Sequence, residues 1–152
     1  MSRYWPAKQI LPGLWIGSAA DAVNARAAER RGIKLVVNCS KDIRQPPGWK
    51  PRVLRVPIDD WENDAPTLLR HLPRVVRAID AALARGDGVL VHCYAGMQRS
   101  AAVVAAYLMT KYGYTAREAM RRVKLSKPET FTPKATFRKA LERWQATLTT
   151  KK

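Results

Sequence analysis

The sequence predicts an α/β fold: a central, mostly parallel sheet of four or five strands with helices on both faces. Three observations carry that prediction. Ile33 to Val37 (Lys34 apart) and Val89 to Val91 are continuous apolar runs, the pattern of strands covered on both sides. Between them, Thr67 to Leu83 places apolar residues at three- and four-residue spacings, the period of a helix with one buried face. The second run enters a tight loop and then Ala101 to Met109, a helical stretch with almost no polar surface.

In chain order, Met1 to Ile10 reads as a polar lead segment packed by Tyr4, Trp5 and Pro6, and Ile10-Leu11-Pro12-Gly13 as a turn. Leu14 to Gly17 is a short strand. Ser18 caps a helix from Ala19 to Arg31, with Asp21 in its first turn and Gly32 as terminator. The strand ending at Val37 delivers Asn38 and Cys39 to the carboxyl edge of the sheet, where α/β folds bind ligands. Lys41 to Lys50, with Pro46-Pro47-Gly48, is a loop at the same edge. Val53 to Pro57 is another strand, running into an acidic stretch from Ile58 to Thr67. Asp64 is read as the cap of the helix opening near Pro66, and Pro73 as a bend within it. Gly113 stops the apolar helix, and Thr115-x-x-Glu118 is a capping box for a short helix to about Lys124. Thr132-Pro133 opens a last helix to about Leu148, striped by Phe137, Leu141, Trp144 and Leu148. No repeat, linker or low-complexity tract divides the chain, so residues 1–152 are expected to form one domain.

Lys and Arg number 28 against 12 Asp and Glu, a net charge of +16. Residues 113–152 hold 11 basic and 3 acidic side chains, so +8 of that excess lies there. Such a balance implies an anionic partner, whether nucleic acid, a phosphorylated or otherwise acidic protein, or an acidic membrane, or else solvated helix faces that aid solubility. No run of about 18 apolar residues exists, so no membrane span is expected. Two well-separated cysteines fit a reducing intracellular compartment, cytoplasm or nucleus. The two cysteines and two histidines show no metal-ligand spacing, and no metal is expected.

The chemistry concentrates after Val91. Cys93 is followed by Gly96, Arg99 and Ser100 at offsets of three, six and seven. A strand, a tight loop and a helix N-terminus aim backbone N–H groups at one point, which suits an anion. Donors from Tyr94, Ala95, Gly96, Met97, Gln98 and Arg99 would surround the sulfur and favour the thiolate. Gly96 permits positive φ, Arg99 offers a planar two-pronged donor for phosphate oxygens, and Ser100 places a hydroxyl beside the sulfur. The competing reading of Cys93 is a buried structural thiol.

His92-Cys93-x-x-Gly96-x-x-Arg99-Ser100 resembles the H-C-x-x-G-x-x-R-[ST] signature of the cysteine-based protein tyrosine phosphatases. Ser100-Ala101-Ala102, Leu14 to Ser18, Gly32 to Asn38 and Ala105 to Met109 resemble the dual-specificity branch. The resemblance implies a tyrosine-phosphatase-like fold and a metal-independent phosphatase acting through a cysteinyl-phosphate. It implies that His92 orients the loop from behind and that Asn38 braces it. It also implies an aspartate general acid roughly 30 residues before the cysteine. Asp60 precedes Cys93 by 33 residues and is followed by Trp61, which makes it the favoured candidate; Asp59 is the neighbouring alternative and Asp64 the third. No segment resembles the tyrosine-recognition loop of the phosphotyrosine-specific branch, which implies a shallow pocket for phosphotyrosine and phosphoserine/threonine. Phosphoinositide and RNA 5′-triphosphatase relatives stand as alternatives, although Tyr94, Ala95, Met97 and Gln98 include no lysine and Gln98 and Ser100-Ala101 depart from the RNA-directed pattern. A binding module for phosphopeptide or nucleic acid is the non-enzymatic alternative. Cys39 and Cys93 end neighbouring predicted strands, so a disulfide on oxidation is a further expectation.

Overall fold

The computed structural model describes residues 7–150. Tyr4, Trp5 and Pro6 lie outside them. Five strands form one sheet in the order β1-β2-β5-β3-β4: β1 (Lys8–Leu11), β2 (Leu14–Gly17), β3 (Ile33–Asn38), β4 (Arg52–Arg55) and β5 (Gly88–His92). All neighbours pair in parallel except β1 with β2. The α/β prediction therefore holds, with an antiparallel edge strand inside the stretch expected to be a lead segment and turn. Gly13, at φ +84°, makes the tight connection from β1 to β2.

The two faces of the sheet are covered unequally. Leu35, Val37, Val89 and Val91 face the larger core, beneath α3 (Ala65–Ala84), α4 (Arg99–Tyr112), α5 (Ala116–Ser126) and α6 (Arg138–Thr150). Val36 and Leu90, one residue out of phase, face the other side, under Ala28 of α2 (Ala25–Arg30). On that side the Arg31 guanidinium lies 4.6 Å from the ring centre of Trp15.

Three expectations about helices are corrected. The helix expected over Ala19–Arg31 is two short ones, α1 (Ala19–Ala22) and α2, because Asn24 takes the Ala27 N–H at 3.0 Å and restarts the helix. Helix α3 runs unbroken through Pro73, its face of Leu68, Leu72, Val75, Val76 and Ile79 held by the core. The last helix begins at Arg138 rather than Thr132, because Thr132 to Thr136 form a loop tied down by Gln98. The Thr115–Glu118 capping box is formed as expected, and Gly113 ends α4 in the left-handed conformation.

Helix α4 is the centre of the larger core. Every residue from Ser100 to Met109 is buried. Ala101, Ala102, Ala105 and Ala106 let it sit close to β5, α3, α5 and α6 at once. Tyr107 donates its hydroxyl to Asp80 on α3 at 2.9 Å, and Trp144 on α6 donates to Thr110 at 3.1 Å. These polar ties fix the rotation of α4 and therefore the direction of its N-terminus. Ala105→Leu is expected to overpack this helix and cost about 1–3 kcal/mol. Urea unfolding should show a lowered midpoint, and an unchanged midpoint would mean that the helix has room to spare.

Candidate active site

Cys93 leaves the end of β5, the middle strand, so that His92 is paired with Gly17 on one side and Asn38 on the other. The chain then turns back through residues 94–98 into α4. Gly96 sits at φ +74°, and a Cβ there would lie 2.7 Å from the Gly17 carbonyl oxygen. The turn therefore requires glycine. The front of the loop is fastened by the Ala19 N–H on the Tyr94 carbonyl, 2.8 Å, and the back by the Phe131 N–H on the Met97 carbonyl, 2.8 Å.

Around the sulfur the donors converge. The Gly96 N–H donates to Cys93 Sγ at 3.3 Å, and Ser100 Oγ lies 3.2 Å away in full burial. Among the described residues, the N–H groups of Tyr94, Ala95, Met97 and Gln98 have no acceptor. Cys93, 2% exposed, forms the floor of a cleft of about 390 Å³ shared with Asp60, Tyr94, Ala95, Met97 and Arg99. Arg99 Nη1 donates to the Ile58 carbonyl at 2.9 Å, so the guanidinium is tethered to the segment that carries Asp60. A ring of amide donors, a guanidinium and a sulfur in one cleft suit a tetrahedral oxyanion.

The three candidate carboxylates part company here. Asp59 is paired with Lys41 at 2.8 Å, and its N–H donates to Asp64 at 2.6 Å. Asp64 also accepts the Thr67 hydroxyl at 2.8 Å, and these hydrogen bonds, that from the Asp59 N–H foremost, hold its carboxyl below the usual range. Both are occupied in shaping the loop. Asp60 is exposed and lines the cleft with Cys93 and Arg99. Asp64 stands at the N-cap position of α3 as expected, but its carboxylate takes the Asp59 N–H and the Thr67 hydroxyl rather than a helix N–H.

His92 is wholly buried, and burial pushes its ring down to about 4. It is therefore neutral at pH 7. Nδ1 lies 3.4 Å from the Cys93 carbonyl and Nε2 lies 2.9 Å from Gln45 Nε2. One assignment satisfies both: Nδ1–H donates to the carbonyl, and Nε2 accepts from Gln45. Asn38 does not touch the phosphate loop, contrary to the expectation of a direct brace. Its side chain accepts from Ser40 and donates to the Ile43 carbonyl at 2.8 Å, with Gln45 Oε1 at 3.4 Å. The support reaches the loop through Gln45 and His92.

Two residues, Gln45 and Lys127, and the side-chain role of Gln98, expected only as a loop N–H donor, escaped the sequence reading. Gln98 turns its amide away from the cleft, donating to the carbonyls of Thr132 and Lys134 at 3.0 and 2.8 Å and accepting from the Thr136 N–H at 3.0 Å. Gln45 links Asn38 to His92. Lys127, 0% exposed, places Nζ 3.1 Å from where a Gly96 Cβ would stand, and 3.2 Å from Glu129 but out of hydrogen-bond alignment. A buried ammonium thus lies directly behind the phosphate loop. Cys39 and Cys93 are both free thiols. The Cys39 N–H donates to the His92 carbonyl at 2.8 Å, and burial pushes the Cys39 thiol well up, with Cys93 adding to the effect. No cluster of three His, Cys, Asp or Glu side chains converges among the described residues.

The family model described as "Dual specificity phosphatase, catalytic domain" matches residues 14–147. The chain belongs to that family. It is 38% identical over 148 residues to mouse dual specificity phosphatase 28, covering 94% of this chain and 86% of that protein. It is 36% identical to human dual specificity protein phosphatase 9 over 125 residues, 78% of this chain but 31% of that longer protein. A crystal structure of human DUSP28 superposes with a TM-score of 0.87 at 33% identity, covering 95% of this chain and 96% of that one. The chain is thus a protein phosphatase of the cysteine-based type, with the tyrosine-phosphatase-like fold.

The neutral imidazole has a consequence for stability. The folded value of about 4 lies below the unfolded value of 6.5, so the unfolded chain takes up the proton first. Stability from His92 is intact above about pH 6.5 and is lost as pH falls toward 4, by roughly 3 kcal/mol in all. Urea unfolding between pH 7 and 4.5 should show the advantage of wild type over His92→Gln shrinking along that window. A constant difference would show that the ring takes up its proton over the same pH range in the native and the unfolded chain.

Proposed function

We propose that this phosphatase hydrolyses phosphotyrosine and phosphoserine/threonine monoesters through a cysteinyl-phosphate on Cys93. The observation that carries this reading is the shared cleft of Cys93, Arg99 and Asp60, with the Gly96 N–H and the Ser100 hydroxyl both on the sulfur. The substrate phosphoryl group takes the place of the missing acceptor for the loop amides. Arg99, steadied through the Ile58 carbonyl, spans two of its oxygens with its remaining N–H groups. The Cys93 thiolate attacks phosphorus in line. The S–P bond forms as the bond to the ester oxygen breaks, and Asp60 gives that oxygen its proton. Asp60, now a carboxylate, takes a proton from water, whose oxygen attacks phosphorus. The S–P bond breaks, and the departing thiolate is received by the Ser100 hydroxyl and the Gly96 N–H. Inorganic phosphate leaves and Asp60 is again protonated.

His92 acts as a positioning residue, since its neutral ring fixes the carbonyl of Cys93 rather than exchanging protons with substrate. Neither the phosphoinositide nor the RNA reading gains support: the residues between Cys93 and Arg99 supply no extra cation, and Gln98 is spent on the 132–136 loop. The phosphorylated partner is a protein, and the excess of 16 positive charges would attract an acidic one. Two free cysteines suit a reducing cytoplasm or nucleus. No helix among the described residues is long and apolar enough to cross a membrane.

Two variants test the roles. Cys93→Ser should reduce hydrolysis of p-nitrophenyl phosphate to background while a phosphopeptide still binds in a fluorescence anisotropy titration. Turnover in that variant would place the nucleophile elsewhere. Asp60→Ala should slow the reaction by about 10²–10⁴-fold, the usual contribution of a positioned acid, with the largest losses on alkyl phosphates and the smallest on esters of acidic phenols. Equal losses on every ester would remove Asp60 from the proton transfer.

A further inference from the structure

A second and larger concavity adjoins the catalytic cleft. It has a volume of about 1270 Å³ and shares Pro133, Lys134 and Thr136 with the cleft, so the two are continuous across one rim. It holds neither Cys93 nor Arg99 and has no part in the bond-breaking chemistry. Its floor is apolar: Met120, Phe131 and Ala140 are buried beneath it, and Leu125 stands at its side, 75% exposed.

Its walls are cationic. Helix α5 contributes Arg117, Arg121 and Lys124; helix α6 contributes Arg138, Lys139 and Arg143. Lys124 is committed to the carbonyls of Pro128 and Thr130, and Lys134 on the rim to Glu62, the one carboxylate of the lining. The remaining five are exposed and make no ion pair among the described residues. Arg117 and Arg121 are four residues apart, as are Lys139 and Arg143. Like charges at that spacing weaken a helix. Two adjacent helices thus carry like charges that no ion pair among the described residues offsets, on either side of a groove that leads to the nucleophile.

We infer that this groove takes an acidic segment of the substrate protein, the residues that flank the phosphorylated side chain on one side. The inference rests on the phosphatase reading above and names the substrate that reading leaves open. A phosphorylated residue in the cleft would send its neighbours over Pro133 and Lys134 and between α5 and α6. Their carboxylates meet Arg121, Arg138 and Arg143, and their apolar stems rest on Met120 and Leu125. A peptide suits the groove better than single-stranded nucleic acid, which stacks its bases on exposed aromatic rings. Phe131 is the lone aromatic of the lining, and it is buried. A lipid surface is flat or convex and would not enter a cleft between helices.

The experiment compares matched phosphotyrosine peptides flanked by Asp/Glu or by Ala, on either side, with wild type and with Arg121→Glu/Arg138→Glu/Arg143→Glu. The readout is the ratio of kcat/KM for acidic over alanine peptides within each protein, so a general loss of activity cancels. Wild type should favour acidic flanks on one side by about tenfold, within reach of two or three exposed ion pairs, and the triple variant should fall to a ratio near one. The milder Arg121→Gln/Arg143→Gln should lie between. A wild-type ratio near one, or a ratio kept in the triple variant, overturns the inference. So does a variant that loses binding to phosphoinositide vesicles or to single-stranded RNA while its peptide ratio persists. Should no peptide be hydrolysed at all, the phosphatase reading fails separately. Anisotropy with a labelled, unphosphorylated acidic peptide then decides the groove: weaker binding to the triple variant supports it, and equal binding or none refutes it.

Discussion

The close approach of Gly96 to the Gly17 carbonyl is the constraint on which the remainder of the site depends. A single Cβ there would stand 2.7 Å from that oxygen, inside any tolerable contact. Because the backbone alone fills the gap, the loop curls tightly enough to bring an N–H onto its own cysteine sulfur three residues earlier. The same curl sets α4 in motion at Arg99 and directs the guanidinium into the cleft. Gly17 is itself confined, since its α-carbon faces Asp21 and Leu90. The end of β2 and the phosphate loop thus form one rigid contact beneath the chemistry.

Charge is distributed in three depths around that contact. The innermost cation is Lys127, buried with Glu129 behind Gly96. The next is Arg99, half in the cleft and held by a backbone carbonyl rather than a carboxylate, so that its charge is not neutralised by a permanent partner. Outermost are the exposed cations of α5 and α6. The neighbouring imidazole adds no charge, because its burial outweighs the opposing pull of Asp21 and keeps it neutral. An anion approaching the sulfur therefore meets positive charge at every depth, with Asp60 at the mouth of the cleft, Glu62 in the outer groove and Glu129 behind Gly96 as the nearby carboxylates.

How much of this the sequence disclosed follows from the range of each contact. Cys93, Gly96, Arg99 and Ser100 lie within eight residues of chain, and their spacing made the proposed nucleophile and the loop that curls around it legible. The parallel strands were legible because burial on both faces leaves uninterrupted apolar runs. The edge strand β1 was not, since it is short and Ile10 is its sole buried residue. The three aspartates are indistinguishable by spacing. Partners separate them: Lys41 lies 18 residues before Asp59, and Thr67 follows Asp64 by three. The side-chain contacts of Gln98, Gln45 and Lys127 were invisible for the same reason at greater range. Gln98 reaches partners 34 to 38 residues away and Gln45 reaches one 47 residues away, and neither carries a local signature. The break at Asn24 was available in principle, because asparagine ahead of a fresh helical run is a cap signal.

The layering of cations also makes the molecule respond unevenly to its ionic surroundings. At physiological ionic strength the Debye length is about 8 Å, so exposed charges on α5 and α6 are largely masked at longer range, whereas an enclosed ammonium such as Lys127 is not reached by mobile ions. Capture of the phosphoryl group is thereby insulated from the medium, while selection of what surrounds that group is left open to it. On the proposed reading, a change in local salt, or in the crowd of competing polyanions, alters which phosphoproteins are chosen without disturbing the centre that cleaves them.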